Sequence, residues 1–177
     1  MLHETNQTFN TMKRTFTILM LITTSLVLNA QDFEVPKDYK LVEAEDYAPY
    51  EQDILDCVDW LMNTPLNKQT EKRINANKFL LQWLTGSPNV HIEIKPEIVT
   101  FISTTPDLIM IFMGGWAKYS LESRKFDDKI NETLKGIESV IEFYQKNREF
   151  LKKDKHVEKY IKMQEKGKLN EYIEKNA

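Results

Sequence analysis

Leu108-Ile109-Met110-Ile111-Phe112-Met113 is the stretch that decides the fold, because it places six apolar residues in succession. Gly114-Gly115-Trp116 follows it directly, and Thr105-Pro106-Asp107 precedes it. A threonine cap, a first-turn proline and an early acid are typical of a helix N-terminus. A helix that is apolar on every side is buried on every side. We therefore expect this helix to form the centre of the core. The glycine pair indicates a kink or the close approach of another helix.

Helical periodicity continues downstream of this segment. A clear amphipathic helix is predicted to begin near Asp127, since its apolar residues are spaced by 4, 3, 4 and 3 positions. These residues are Ile130, Leu134, Ile137, Ile141 and Tyr144. Two short units then each carry one apolar edge, formed by Val157, Tyr160 and Ile161 and by Leu169, Tyr172 and Ile173. We expect both units to dock on the body as a small helical hairpin.

Two more helices are predicted upstream. The first ends at Asn63-Thr64-Pro65. Its apolar face consists of Tyr50, Ile54, Val58, Leu61 and Met62. The second runs from about residue 67 to residue 84, with Gly86 as its C-terminal cap. Its expected apolar stripe is Ile74, Leu81 and Leu84, widened by Phe79, Leu80 and Trp83.

Residues 90–94 give the one strand-like pattern, because Val90, Ile92 and Ile94 alternate with polar neighbours. An isolated strand has no partner to pair with, so we expect an extended connector on the core. A short helix is predicted from Pro96 to Ile102. The predicted fold class is all-α. Its architecture is an irregular multi-helix bundle, or a short stack of helix pairs, with five to seven helices and one short extended connector.

The N-terminus has the layout of a secretory signal peptide. Met12-Lys13-Arg14 is basic, the apolar core from Phe16 to Leu28 has 13 residues, and Asn29-Ala30-Gln31 ends it. A membrane-spanning helix needs about 20 apolar residues, so this core is too short for an anchor. We expect translation to start at Met12, with residues 1–11 as an upstream extension, and cleavage near Ala30. We expect an acidic irregular lead-in over residues 31–49 and a single helical domain over residues 50–177.

Composition excludes several classes of protein. The chain of 177 residues has one cysteine, which excludes a disulfide scaffold and a multi-cysteine zinc module. We interpret that residue, Cys57, as a small buried hydrophobe. A net charge of -3 gives no general reason to expect nucleic-acid binding.

The charge is distributed unevenly along the chain. Residues 31–62 contain ten acids and two bases, whereas residues 146–177 contain ten bases and six acids. The basic end has two interpretations: a binding surface for an anionic partner, or a solvated helix face on which lysines and glutamates alternate. The interleaved acids favour the solvated face.

The sequence assigns no catalytic, cofactor-binding or metal-binding residue. His91-Ile92-Glu93 places two polar side chains on one side of an extended segment, but two ligands do not make a metal site. Asp53, Asp56 and Asp59 form an acidic helix edge that we interpret as exposed. The nucleophile elbow, the phosphate-binding loop and the zinc-protease motif are all absent from the sequence.

Trp60, Trp83 and Trp116 each lie on a different predicted helix. Core packing is the simpler interpretation, and a ligand groove lined by the indoles is the alternative. Lys118 and Tyr119 are the polar groups expected beside such a groove.

Three segments carry a resemblance to other proteins. They are Asn29-Ala30-Gln31, Phe79-Leu80-Leu81-Gln82-Trp83-Leu84-Thr85-Gly86 and Phe112-Met113-Gly114-Gly115-Trp116. The chain resembles uncharacterised exported all-helical proteins of Bacteroidota. The resemblance implies a periplasmic or secreted setting, and it transfers no activity or functional residue.

The leading functional hypothesis is an exported, non-enzymatic binding module of the bacterial envelope that engages another envelope protein through a helix groove. One alternative is a carrier of a small molecule or lipid with a tryptophan-lined pocket. A second alternative is a hydrolase whose acids are brought together only by folding. The fold class alone does not decide between these three hypotheses.

Native mass spectrometry of the protein purified from the periplasm of an expressing cell tests the export prediction. We expect the mass of residues 31–177 alone, because cleavage follows Ala30. A reproducible added mass would favour the carrier. A chain that retains residues 12–30 would contradict the signal peptide.

Overall fold

The computed structural model describes residues 33–177, and within them the chain is all-α, with six α-helices and no β-strand. The helices are α1 (Glu51–Asn63), α2 (Thr70–Gly86), α3 (Leu108–Ser123), α4 (Lys129–Lys146), α5 (Lys155–Glu165) and α6 (Leu169–Asn176). Short 3-10 helices lie at Ala44–Asp46, Ala48–Tyr50 and Thr100–Ser103. The fold class and the number of helices predicted from the sequence are confirmed. The predicted signal peptide lies outside the described residues.

Helix α3 lies at the centre of the core, as the apolar run predicts. Leu108, Phe112 and Trp116 follow one another at one-turn spacing, and all three are almost completely buried. The helix packs most extensively against α4, and α1 and α2 contact it as well. Ile109, Met110 and Met113 are half-buried, so α3 keeps one partly accessible side.

Helices α3 and α4 approach so closely that each needs a glycine at the crossing. A Cβ atom added at Gly115 would overlap the Ser139 side chain and lie 2.9 Å from the carbonyl oxygen of Lys135. A Cβ atom at Gly136 would lie 2.7 Å from the ring of Phe112. Contacts this short are repulsive, because carbon atoms in contact prefer about 3.5–4.0 Å. Gly115, the second residue of the Gly114-Gly115 pair, therefore marks a close helix approach. This is one of the two outcomes that the sequence left open.

A buried arginine fixes α2 against the end of α1. The Arg73 guanidinium donates to the carbonyl oxygens of Leu61 and Thr64, which belong to the last turn of α1 and to its cap. It also lies 5.7 Å from the ring of Trp60 and 5.6 Å from the ring of Phe143. A cation at a helix C-terminus is stabilised by the helix dipole and by aromatic faces. This residue therefore joins α1, α2 and α4.

The apolar stripe predicted for α2 is correct for Phe79, Leu80 and Trp83, which are buried, and wrong for Ile74 and Leu81. Ile74 is 61% exposed and Leu81 is 47% exposed. The buried residues step by 3, 4 and 3 positions and are Arg73, Ala76, Leu80 and Trp83, with Phe79 beside them. The sequence pattern placed Ile74 and Leu81 on this face wrongly, because the charged residue Arg73 belongs to the buried stripe instead.

Gly86 is also not the predicted cap, since it is the last residue of α2 and Ser87 follows as the cap. A Cβ atom at Gly86 would overlap the Tyr47 hydroxyl. The glycine is therefore explained by close packing against the lead-in segment.

The lead-in over residues 33–50 contains two 3-10 helices and packs on α2 through aromatic rings. Phe33 is buried and stacks on Phe79 with ring centroids 6.4 Å apart. Tyr39 meets the same ring edge-on at 4.9 Å. The carbonyl oxygen of Tyr47 accepts a hydrogen bond from the Trp83 indole at 3.0 Å. An irregular backbone is thus held in place by side-chain packing.

The connector before α3 agrees with the prediction in part. Residues 90–95 form neither a helix nor a paired strand, and Val90 is buried. The helix predicted from Pro96 to Ile102 is instead a turn followed by the 3-10 helix Thr100–Ser103. Thr105 is not the N-cap of α3, because that helix begins at Leu108 and the Thr105 hydroxyl bonds Asp154 instead.

Substitution of Gly115 by alanine tests the close crossing of α3 and α4. We expect G115A to lower the free energy of unfolding by about 1–3 kcal/mol, the usual cost of overpacking. Chemical denaturation followed by circular dichroism measures this loss.

Gly114 provides the matched control for the same change. Its added Cβ atom would lie 3.3 Å from both Val58 methyl groups and 3.7 Å from a Leu80 methyl group, so a shift of a few tenths of an ångström relieves the contact. A helical alanine is favoured over glycine by about 1 kcal/mol, so we expect G114A to be close to neutral. Equal stability of G114A and G115A would contradict the crossing.

Candidate functional site

An open groove lined by lysines runs along α5 and the start of α6. Its volume is about 610 Å³, and six lysines line it together with Glu158 and Met163. These lysines are Lys153, Lys155, Lys159, Lys162, Lys166 and Lys168. The four from residue 155 to residue 166 are spaced by 4, 3 and 4 positions, which places them along one side of a helix. They form a basic stripe about 16 Å long at about 1.5 Å per residue.

Most basic residues earlier in the described part of the chain form ion pairs, whereas these lysines do not. Upstream, Lys72 pairs with Glu34 and Lys146 with Glu142, both at 2.7 Å, and Lys118 pairs with Asp59 at 2.8 Å. Within residues 33–177, by contrast, no carboxylate lies within 4.0 Å of any of the six groove lysines. Their charges therefore add to one positive field rather than cancelling locally.

The acid in the groove wall does not neutralise this field. The Glu158 carboxylate forms an ion pair with Arg148, which lies outside the groove lining. The Arg148 guanidinium holds the pKa of Glu158 below its usual value, with a further contribution from the Tyr144 hydroxyl. Glu158 is thus ionised and already paired. The groove keeps its excess of cations.

Asp154 anchors the N-terminus of α5 to the body. Its buried carboxylate accepts hydrogen bonds from the amides of His156 at 2.8 Å and Val157 at 3.3 Å. It also accepts one from the Thr105 hydroxyl at 3.1 Å. An aspartate cap satisfies amides that the helix itself leaves unpaired. The same side chain therefore starts α5 and ties it to the segment before α3.

Two tyrosines fix the hairpin of α5 and α6 on the connector. The buried Tyr160 hydroxyl donates to the carbonyl oxygen of Ile98 at 2.6 Å, and burial raises its pKa above the usual value. The Tyr172 hydroxyl donates to the carbonyl oxygen of Glu97 at 3.3 Å. Lys159 lies 4.7 Å from the Tyr172 ring. These contacts confirm the predicted docking of both short helices and fix the position of the lysine stripe on the body.

The structure does not bring the residues weighed from the sequence into one site. His91 is exposed and its Nε2 atom lies 3.1 Å from the carbonyl oxygen of Pro88, while Glu93 pairs with Lys95. Of the aspartate edge, Asp59 pairs with Lys118, and Asp53 has a pKa raised by burial and by nearby Asp56. Within residues 33–177, no group of three or more metal-ligating side chains is clustered.

The three tryptophans pack in the core. Trp60, Trp83 and Trp116 are each at most 5% exposed, as expected for core packing. None of them lines the lysine groove, so they do not form part of this site. Lys118 pairs with Asp59 and Glu122, and the Tyr119 hydroxyl donates to Asp128 at 2.7 Å.

Two buried groups with catalytic potential are closed to solvent. The Ser120 hydroxyl donates to Glu132 at 2.7 Å, and both residues are at most 1% exposed. Burial raises the pKa of Glu132, so its proton is held more tightly than in water. Cys57 is fully buried as predicted, and burial raises the pKa of its thiol to about 12. A substrate cannot reach any of these groups in this conformation.

The sequence shows the basic end of the chain, but its interleaved acids predict a face on which acids balance the lysines. The spacing of Lys155, Lys159, Lys162 and Lys166 was the available signal for a continuous stripe. Which lysines would find carboxylates depends on neighbours that only the fold supplies.

No helix among residues 33–177 has the length and apolar character needed to span a bilayer. Comparison of the chain with known protein families, curated proteins and solved structures finds no match.

Replacement of Asp154 tests the anchoring of the groove. We expect Asp154→Ala to lower the free energy of unfolding by about 1–3 kcal/mol, because a cap and a buried hydrogen bond are both lost. Hydrogen exchange of the α5 amides should accelerate more than exchange in α3. Lys168→Ala is the control, since the Lys168 side chain makes no capping hydrogen bond to α6. Equal effects of the two variants would contradict the anchoring role.

Proposed function

We propose that the chain is an exported, non-enzymatic binding module of the bacterial envelope that holds an acidic segment of a partner protein in the lysine groove. The observation that carries the proposal is the set of six groove lysines, on and beside the anchored helix α5, that form no ion pair with any residue from 33 to 177. Clustered cations without carboxylate partners repel one another and favour an anionic partner. Export is supported by the leader-like N-terminus and by the resemblance to exported proteins of Bacteroidota.

The dimensions of the stripe suit an extended peptide. A stripe of about 16 Å matches about five extended residues at about 3.3 Å each. An ammonium group offers three donors on a flexible stem, so each lysine can adjust to carboxylates at different positions. Charge pairing at an open groove gives fast association and strong salt dependence rather than high affinity.

The two alternative hypotheses have no comparable observation in their favour. For a carrier, the tryptophans would have to line the site, and they lie in the core. For a hydrolase, an accessible pair of polar groups would be needed, and the Ser120–Glu132 pair is closed to solvent. The binding module therefore remains the function that the site supports best.

Charge reversal in the groove tests the proposed site. The probe is a fluorescein-labelled hexaglutamate peptide, which spans about 20 Å when extended. Fluorescence anisotropy at low salt should detect binding to the parent chain. We expect K159E/K162E to weaken it by about tenfold or more, since each exposed charge pair contributes up to about 1 kcal/mol and reversal adds repulsion.

The matched control is K68E/K78E, which changes the net charge equally at exposed lysines outside the groove. Its binding should stay within about twofold of the parent, because screening limits the reach of distant charges. Equal losses of peptide binding in the two variants would mean that only the net charge matters. That result would contradict a specific site. Binding of anionic phospholipid vesicles or of a sulfated glycan, without binding of the peptide, would reject a protein partner.

A further inference from the structure

An exposed phenylalanine projects from the turn between α4 and α5. Phe150 is 40% exposed, and its amide donates to the carbonyl oxygen of Asn147 at 2.9 Å. The buried Asn147 side chain accepts from the Leu66 amide at 2.7 Å and donates to Phe143 at 3.0 Å. The ring is therefore presented on a turn that is fixed to the body. Lys152, two residues later, is exposed and has no carboxylate within 4.0 Å in the described part of the chain.

A separate groove lies between the lead-in and α2. It has a volume of about 430 Å³ and is lined mainly by Tyr39, Leu41, Tyr47, Leu81, Gln82 and Thr85. An apolar cavity of about 150 Å³ is enough to hold a benzene ring, so a phenyl side chain fits in this groove. Leu81 in its wall is 47% exposed, and Val42, next to Leu41, is 70% exposed. Exposed aliphatic groups beside a groove favour an apolar occupant.

The surroundings of the groove are acidic, whereas the surroundings of Phe150 are basic. The lead-in over residues 33–50 contains five acids and two lysines. Among those acids, Asp38, Glu43 and Glu45 form no ion pair with any described residue. The exposed charges close to Phe150 in the sequence are those of Lys152, Lys153, Glu149 and Arg148. Arg148 is paired with Glu158. The two surfaces are thus complementary in charge, and the groove has room for the ring.

We propose that this chain associates head to tail with a second copy of itself, by insertion of Phe150 of one copy into the groove between the lead-in and α2 of the next. The knob and the groove are different surfaces of one chain, so the contact is heterologous and each copy can bind on both sides. Such a contact forms open chains unless its rotation closes a ring. The contact shares only Lys153 with the lysine groove and leaves the stripe from Lys155 to Lys166 accessible to the acidic partner.

The contact is expected to be weak. One ring and a few charge pairs fall below the area of a standard interface, which places the dissociation constant in the micromolar to millimolar range. Self-association should therefore rise with protein concentration and fall when salt screens the charges.

Sedimentation velocity of the purified chain at protein concentrations from about 10 µM to about 1 mM tests the proposal. The weight-average sedimentation coefficient of the parent should rise with concentration at low salt. Phe150→Ala and Leu81→Arg should both remain monomeric, because one loses the knob and the other blocks the groove. Both positions are partly exposed, so folding is preserved and circular dichroism verifies it. Ile130→Ala is the matched control, since Ile130 is also 40% exposed but lies on α4.

Mixing the two monomeric variants separates a heterologous contact from other kinds of association. F150A keeps the groove and L81R keeps the knob, so an equimolar mixture should form dimers and nothing larger. A parent that stays monomeric over the whole range would overturn the proposal. The proposal would also be overturned if F150A associates like the parent, if I130A loses association equally, or if the mixture of F150A and L81R stays monomeric. Association that K159E/K162E abolishes and F150A leaves intact would assign the contact to the lysine groove instead.

Discussion

The crossing of α3 and α4 at Gly115 and Gly136 is the contact on which the rest of the structure depends. Without side chains at these two positions the backbones come close enough for Phe112 to lie against Gly136. Dispersion contacts at that distance are many, and the apolar surface removed from water is large because α3 is buried along most of its length. Every other helix contacts this pair or contacts an element that does. The pair is the frame that sets the positions of the surface elements.

The frame determines where the charged surfaces lie. On one side, Arg73 joins α1, α2 and α4, and the lead-in packs its aromatic rings on the outer face of α2. On the other side, Asp154 and Tyr160 fasten the final hairpin to the segments before α3. The acidic lead-in and the basic hairpin are consequently separate surfaces. Among residues 33–177, most cations upstream of the hairpin have carboxylate partners close by and those of the hairpin do not, which leaves an unbalanced positive field on α5.

A helix face could be predicted from the sequence where one residue type dominated that face. The run from Leu108 to Met113 and the 4-3-4-3 spacing in α4 predicted their helices correctly, because apolar periodicity alone defines them. The face of α2 was predicted in part: Leu80 and Trp83 are buried as expected, but Arg73 belongs to the buried stripe and Ile74 does not. Thr105 was misassigned because its hydroxyl could cap a helix locally or bond Asp154 far along the chain. The lysine stripe was visible as spacing, but its lack of counter-ions is a property of the fold.

Native-state hydrogen exchange followed by mass spectrometry tests the central role of the α3–α4 pair most directly. Amides in the middle turns of both helices should exchange only through global unfolding, with protection equal to the full free energy of unfolding. Amides of α5 and α6 should exchange faster through local detachment of the hairpin, which the Asp154 cap and the tyrosine hydroxyls oppose. Equal or greater protection of α5 and α6 than of α3 and α4 would contradict the claim that the crossing at Gly115 and Gly136 supports the rest of the structure.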